Sequence, residues 1–187
     1  MGDPLVDDSW PVGQGMTFTV LQNPLRTRLH TKGEAAFVVP PHWHTMHDEH
    51  HTVLKGTLTV IQDGVRRVVR PEDGPLLTRR GVVHSLEILP GEEAIVEETT
   101  LQSDDVTEQK TLFFRNLFFP GVLQSPLRVM QVFYYGDSYP ELPTGSRWLE
   151  RLVVVLVGGW IAPLLGYKLP DKRLRMDPKR FPPKKTA

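Results

Sequence analysis

From residue 16 to about residue 100 the chain runs as short stretches rich in Val, Ile, Thr and Leu, cut apart by turn residues, and no other feature limits its fold so strongly. The stretches fall at 16–21, 35–40, 52–62, 65–70, 75–78, 82–89 and 93–100. Branched and aromatic side chains suit a pleated, half-buried surface. The punctuation is explicit at Asp63-Gly64, Asp73-Gly74 and Pro90-Gly91. Asp-Gly between two such runs signals a tight hairpin, because the turn needs a positive φ that glycine adopts freely. Many short strands at close spacing predict a mainly β protein built as a sandwich or barrel.

After about Asp104 the periodicity changes. Residues 106–119 and 126–135 place large apolar side chains three or four apart, the pattern of a helix with one buried stripe. A third helix is expected to lead from Trp148 into the apolar run LVVVLVGGWIAPLLGY, residues 152–167. That run is shorter than the roughly 18–20 residues that span a bilayer, and its three glycines and one proline act as breakers, so it is expected to be a buried or interface helix, with membrane association the weaker expectation. The organisation that follows is an N-terminal arm over 1–15, a barrel over 16–104, a helical extension over 105–168 and a basic, Pro-rich tail over 169–187. At 187 residues this is one domain with an appendage.

Lys plus Arg and Asp plus Glu both number 22, so the charge balance favours neither nucleic acid nor an anionic surface as partner. The absence of cysteine excludes disulfides, thiolate metal sites and cysteine nucleophiles. The first fifteen residues are acidic and rich in Pro and Gly, without the basic and apolar segments of a secretory signal, and a cytoplasmic protein is expected.

The string PPHWHTMHDEHHTVLKGTLTV, residues 40–60, carries the chemistry, together with RRGVVHSLEI at 79–88. On an extended strand His42 and His44 project from one face and Trp43 from the other. Glu49 lies beyond a short connection, where a returning strand would set its carboxylate opposite the two imidazoles. Gly56 permits the turn that ends this strand. His84, on a later strand preceded by Gly81, can complete the set from the far wall. Three imidazoles and a carboxylate suit a divalent transition metal (Fe, Zn, Mn, Ni, Co or Cu) and leave positions open for water or substrate.

These residues resemble the cupin superfamily. The first cupin motif, G(X)5HXH(X)3–4E(X)6G, matches His42, His44, Glu49 and Gly56, with Ala36 in the place of its leading glycine. The second, G(X)5PXG(X)2H(X)3N, matches Gly81 and His84 only: Arg79 replaces proline, Ile88 replaces asparagine, and Gly74 stands one residue closer than the pattern asks. The resemblance spans about residues 16–100. It implies a jelly-roll β-barrel of six to eight strands with the metal inside, followed here by a C-terminal helical extension. The segment ending in Leu165–Gly166–Tyr167 is also similar to that of a group of single-domain cupins with helices after the barrel. Single-domain cupins are commonly dimers, so a homodimer is expected.

Counting by twos from Glu49 puts His51 and Val53 on the inner face. His51 is a candidate acid–base group, or alternatively a histidine that only orients a ligand. His47 and His50 are expected in solvent. Val38, Leu58, Val60, Val82, Leu86 and Ile88 are in phase with the ligands and predict an apolar pocket. Of Glu97 and Glu98 one must face inward; alternation alone does not choose, and Glu98 is carried forward with His51 as the candidate catalytic pair. The expected function is a metal-dependent enzyme acting on a small, largely apolar molecule, as an oxygenase. The alternatives are a non-redox cyclase, isomerase or dehydratase that uses the metal as Lewis acid, and a non-catalytic small-molecule binding protein.

Overall fold

The structure, a computed structural model, describes residues 2–176. Its strands are β1 (Ser9–Gly13), β2 (Met16–Leu21), β3 (Arg26–Thr31), β4 (Phe37–Trp43), β5 (Glu49–Lys55), β6 (Leu58–Gln62), β7 (Val65–Val69), β8 (Leu76–Thr78), β9 (His84–Ile88), β10 (Ala94–Thr100) and β11 (Tyr139–Pro140). They form two antiparallel sheets, ordered β1-β2-β3-β10-β5-β8 and β11-β4-β9-β6-β7. The inner faces of the two sheets enclose Phe18, Val20, Leu29, Val53, Leu58, Val60, Leu86, Ile88 and Val96, all buried. Full burial of one such side chain contributes about 1.5–3 kcal/mol.

Three strands depart from the expected set, the short β11 within the expected helical extension among them. β3 is absent from that set because RTRLHT shows only one apolar residue, although its alternation is regular: Thr27, Leu29 and Thr31 are buried and the Arg and His residues lie outward. β1 falls within the expected N-terminal arm and pairs with β2. The stretch 52–62 proves to be two strands, broken at Gly56, where φ is 73° and an added Cβ would lie 2.5 Å from the Glu93 carbonyl oxygen. The Asp63-Gly64 hairpin forms as expected, with φ of 45° and 81° at its two turn residues.

The proline pair in β4 resets its phase. Phe37 and Val39 pair with Ile88 and Leu86, but the register slips between Val39 and His42, after which His42 faces His84. Neither Pro40 nor Pro41 can donate to the ladder, which is why a bulge sits there. Val39 therefore points inward and Val38 is exposed, contrary to the pocket wall expected from unbroken alternation. Val82 also leaves the wall, since β9 begins only at His84.

Helices α1 (Asp104–Leu117), α2 (Pro126–Tyr135) and α3 (Arg147–Val154) follow. α1 lies against the barrel: Phe114 and Phe118 meet the ring of Phe18 at centroid distances of 4.7 and 5.2 Å. α3 continues without a break through π-helical turns over Val155–Ile161 and a last α-helical turn, Ala162–Leu164. The adjacent glycines at 158 and 159 do not break it. They let it press against α2, where Gly158 meets the backbone of Met130. Only one side of this helix is covered: Val154, Gly158 and Ala162 are buried, whereas Trp148, Leu156, Trp160 and Leu164 are exposed. Among the described residues, no helix is long and apolar enough to cross a membrane. Leu169 and Leu174 pack into the helical cluster with Leu112 and Val132. The rest of the expected basic tail, residues 177–187, lies outside the described residues.

Candidate metal centre

β4, β5 and β9 bring the four expected ligands together. The donor atoms of His42, His44 and His84 lie within 4.8 Å of one another. Glu49 Oε1 is 3.1 Å from His44 Nε2, and Glu49 Oε2 is 3.0 Å from His84 Nε2. The three rings are held in the same way. Nδ1 of His42 lies 2.9 Å from the Pro40 carbonyl, that of His44 2.7 Å from the Asp137 carbonyl, and that of His84 3.1 Å from the Val82 carbonyl. A carbonyl oxygen only accepts, so in each ring Nδ1 carries the proton and Nε2 is left bare toward the centre. Nε2 of His44 and of His84 is buried without a hydrogen bond. Buried polar atoms without partners are costly, and a cation at this point would satisfy them. Burial lowers His44 to about 4, so the ring is neutral and fit to coordinate at neutral pH. Burial alone would raise Glu49, but the Lys110 ammonium overrides it and holds the carboxylate well below its usual range. The donor set fits a divalent transition metal.

His51 and Glu98 also face inward, as cross-strand partners. His51 Nε2 is 3.5 Å from Glu98 Oε2 and 3.8 Å from Glu49 Oε2. Burial pushes His51 down, but the Glu98 carboxylate beside it raises it overall. Both line a cavity of about 40 Å³ whose other walls include Leu29, Phe37, Val39, Leu86, Ile88 and Phe114. Of the expected apolar wall, Leu58, Leu86 and Ile88 border this space. A volume of that size holds only a few water-sized groups, so a larger substrate needs side chains such as Phe114 to move. Glu97 faces out and is held by Arg26 at 2.8 Å and Arg28 at 2.5 Å. For Glu97→Gln we expect a loss below about 1 kcal/mol in urea unfolding, as for other partly exposed ion pairs, and unchanged metal content.

Three further residues belong to the centre. His47, expected in solvent, is fully buried. Its Nε2 is 3.4 Å from Glu49 Oε1 and its Nδ1 3.6 Å from Asp137 Oδ2. The 44–47 segment folds inward because Asp137, just past the end of α2, accepts bonds from Thr45 N at 2.9 Å, Thr45 Oγ1 at 2.5 Å and Met46 N at 2.7 Å. His50, by contrast, is half-exposed on the outer face of β5, as expected. Lys110 reaches in from α1, bonds Glu49 Oε1 and lies 3.4 Å from Glu98 Oε1. Its sequence signal was available: Lys110 falls on the same helical stripe as Val106, Phe113 and Phe114, where a cation is out of place unless it has a buried partner. Asp137 left no comparable signal.

No family model matches the chain. It is 30% identical over 143 residues to a protein named probable oxidoreductase patJ from Penicillium expansum, a match over 69% of this chain and 43% of that protein. A protein named as an oxidoreductase from Arthrobotrys oligospora is 26% identical over 174 residues, covering 84% of this chain and 68% of the relative. The chain thus spans less than half the length of the first of these. Among solved structures, KdgF from Halomonas sp. superposes with a TM-score of 0.41 at 21% identity, over 53% of this chain and 90% of that one. What decides the architecture is the topology itself. Two antiparallel sheets closed around an apolar interior, with His42, His44, Glu49 and His84 on the inner wall and helices after the last long strand, make this chain a mainly β, two-sheet barrel with a C-terminal helical extension, the architecture that the cupin resemblance implies.

Proposed function

We propose that the barrel holds the metal centre of an oxidoreductase, an oxygenase acting on a small, largely apolar molecule. The observation that carries this reading is the arrangement of His42, His44 and His84. Each donates its Nδ1 proton to a backbone carbonyl and offers a bare Nε2 beside the Glu49 carboxylate, which His51, 3.8 Å away, links to a small, largely apolar cavity. The oxidoreductase names of the two relatives favour redox chemistry. When bound, the metal would supply open coordination positions at which substrate and dioxygen can meet. The protein would do the rest. Leu86, Ile88 and Phe114 would exclude water and orient the carbon skeleton, while the His51–Glu98 pair would take up or return a proton at the cavity edge.

The presence of His51 and Glu98 on that edge also favours a second reading, a non-redox isomerase or dehydratase in which the same pair shuttles the proton. The two separate cleanly. Protein loaded anaerobically with Fe(II) would be supplied with small enols and phenols, and oxygen uptake and product mass would be followed. We expect oxygen uptake and a product heavier by oxygen atoms. Full turnover without dioxygen, to a product of unchanged mass or one lighter by water, would rule out the oxygenase and leave the second reading.

A further inference from the structure

Lys110 is the charged group at the centre that the proposed function leaves without a task. Its side chain is 6% exposed, and its ammonium bonds the same oxygen, Glu49 Oε1, that lies 3.1 Å from His44 Nε2. A divalent cation held by His42, His44, His84 and Glu49 would draw on that carboxylate too. Two cations sharing one carboxylate in a buried, poorly screened site repel strongly. The lysine has somewhere to go. Glu98 Oε1 is 3.4 Å from Nζ, is buried and has no hydrogen bond of its own. The four-carbon stem is flexible and carries three rotatable donors, so a short swing exchanges one carboxylate for the other. Phe113 and Phe114, with ring centroids 5.2 Å from Nζ, give the ammonium a face to rest on through the swing.

We propose that Lys110 is a built-in counter-cation of the metal centre. It neutralises Glu49 when no metal is bound, passes to Glu98 when a divalent ion enters, and thereby sets how tightly the site holds metal. The inference rests on the metal-site reading above and adds a competitor to it. Lys110→Met keeps most of the volume and removes the charge, so it should bind metal more tightly. Glu98→Gln removes the second carboxylate and should bind it more weakly.

The test is chelator competition for Co(II) on the full chain, read from the visible absorption of the bound ion. We expect Lys110→Met to bind Co(II) at least tenfold tighter than the unaltered protein and Glu98→Gln at least threefold weaker. Equal or weaker binding by Lys110→Met would overturn the role of Lys110 while leaving the metal site standing. Failure of the unaltered protein itself to take up Co(II) would overturn both. Should Lys110→Met not fold, the unaltered protein still decides the matter. With 13Cε-labelled lysine, Zn(II) should shift the Lys110 resonance, and a resonance that stays in place at full Zn(II) occupancy would sink the proposal.

Discussion

Glu49→Gln should cost the protein both its metal and a large part of its stability. The glutamate is 1% exposed and accepts from Lys110, with His44 Nε2, His84 Nε2 and His47 Nε2 at 3.1, 3.0 and 3.4 Å. Loss of a group that merely supports a metal ligand reduces affinity about 10- to 100-fold, and loss of the carboxylate itself should exceed that. Metal content by atomic spectroscopy should fall from near one ion per chain to a few per cent. Independently, the chelator-stripped variant should be less stable by about 3 kcal/mol, because removing one member of a buried ion pair strands the other in a low-dielectric interior. Urea unfolding of the stripped proteins measures this. Normal metal content in the variant would remove Glu49 from the ligand set. Normal stability would mean that Lys110 is satisfied by Glu98 alone.

The second large effect is expected far from the metal. At Gly158 a Cβ would sit 2.0 Å from the Met130 carbonyl oxygen and 2.6 Å from its carbonyl carbon, both backbone atoms of α2 that cannot turn aside. Gly158→Ala should therefore push the two helices apart at a cost of about 3 kcal/mol, at the upper end of overpacking. In a chain of this size that lowers the melting temperature by about 6–12 °C. Gly159→Ala makes the internal control. Its Cβ would meet the ring of Tyr134 at 2.8 Å, a partly exposed side chain that can rotate away, so the loss should be less than half as large. Equal melting temperatures for the two variants would contradict this account of why the apolar run carries paired glycines.

Both predictions turn on contacts that differ in how far along the chain their partners stand, and that difference separates what was legible in the sequence from what was not. His42, His44 and Glu49 lie within eight residues of each other, on strands whose alternation is a local property of the backbone. Their common orientation can be read from spacing, and so can the inward turn of His51. The Asp63-Gly64 hairpin is equally local, being a matter of two φ angles. The barrel and the helices after it follow from periods of 2 and 3.6 that each run displays by itself.

What the tertiary structure decided involves departures from local regularity or partners remote in sequence. The bulge at Pro40–Pro41 exchanged Val38 for Val39 on the inner wall, because the ladder with β9 slips there, and a register is a property of two strands. Cross-strand pairing chose Glu98 over Glu97, setting it opposite His51 while Arg26 and Arg28 took its neighbour outward. His47 left the solvent because Asp137, ninety residues later, pulls the 44–47 segment against the end of α2. Lys110 entered the centre because α1 closes on the barrel with that stripe inward. The sequence by itself determined the β-barrel, the helices after it and the group of residues suited to a metal, since those rest on spacing and backbone geometry. Only the packed chain decided which charges surround that group, since a buried charge is held by whatever opposite charge the fold brings within a few ångströms, wherever in the chain it stands.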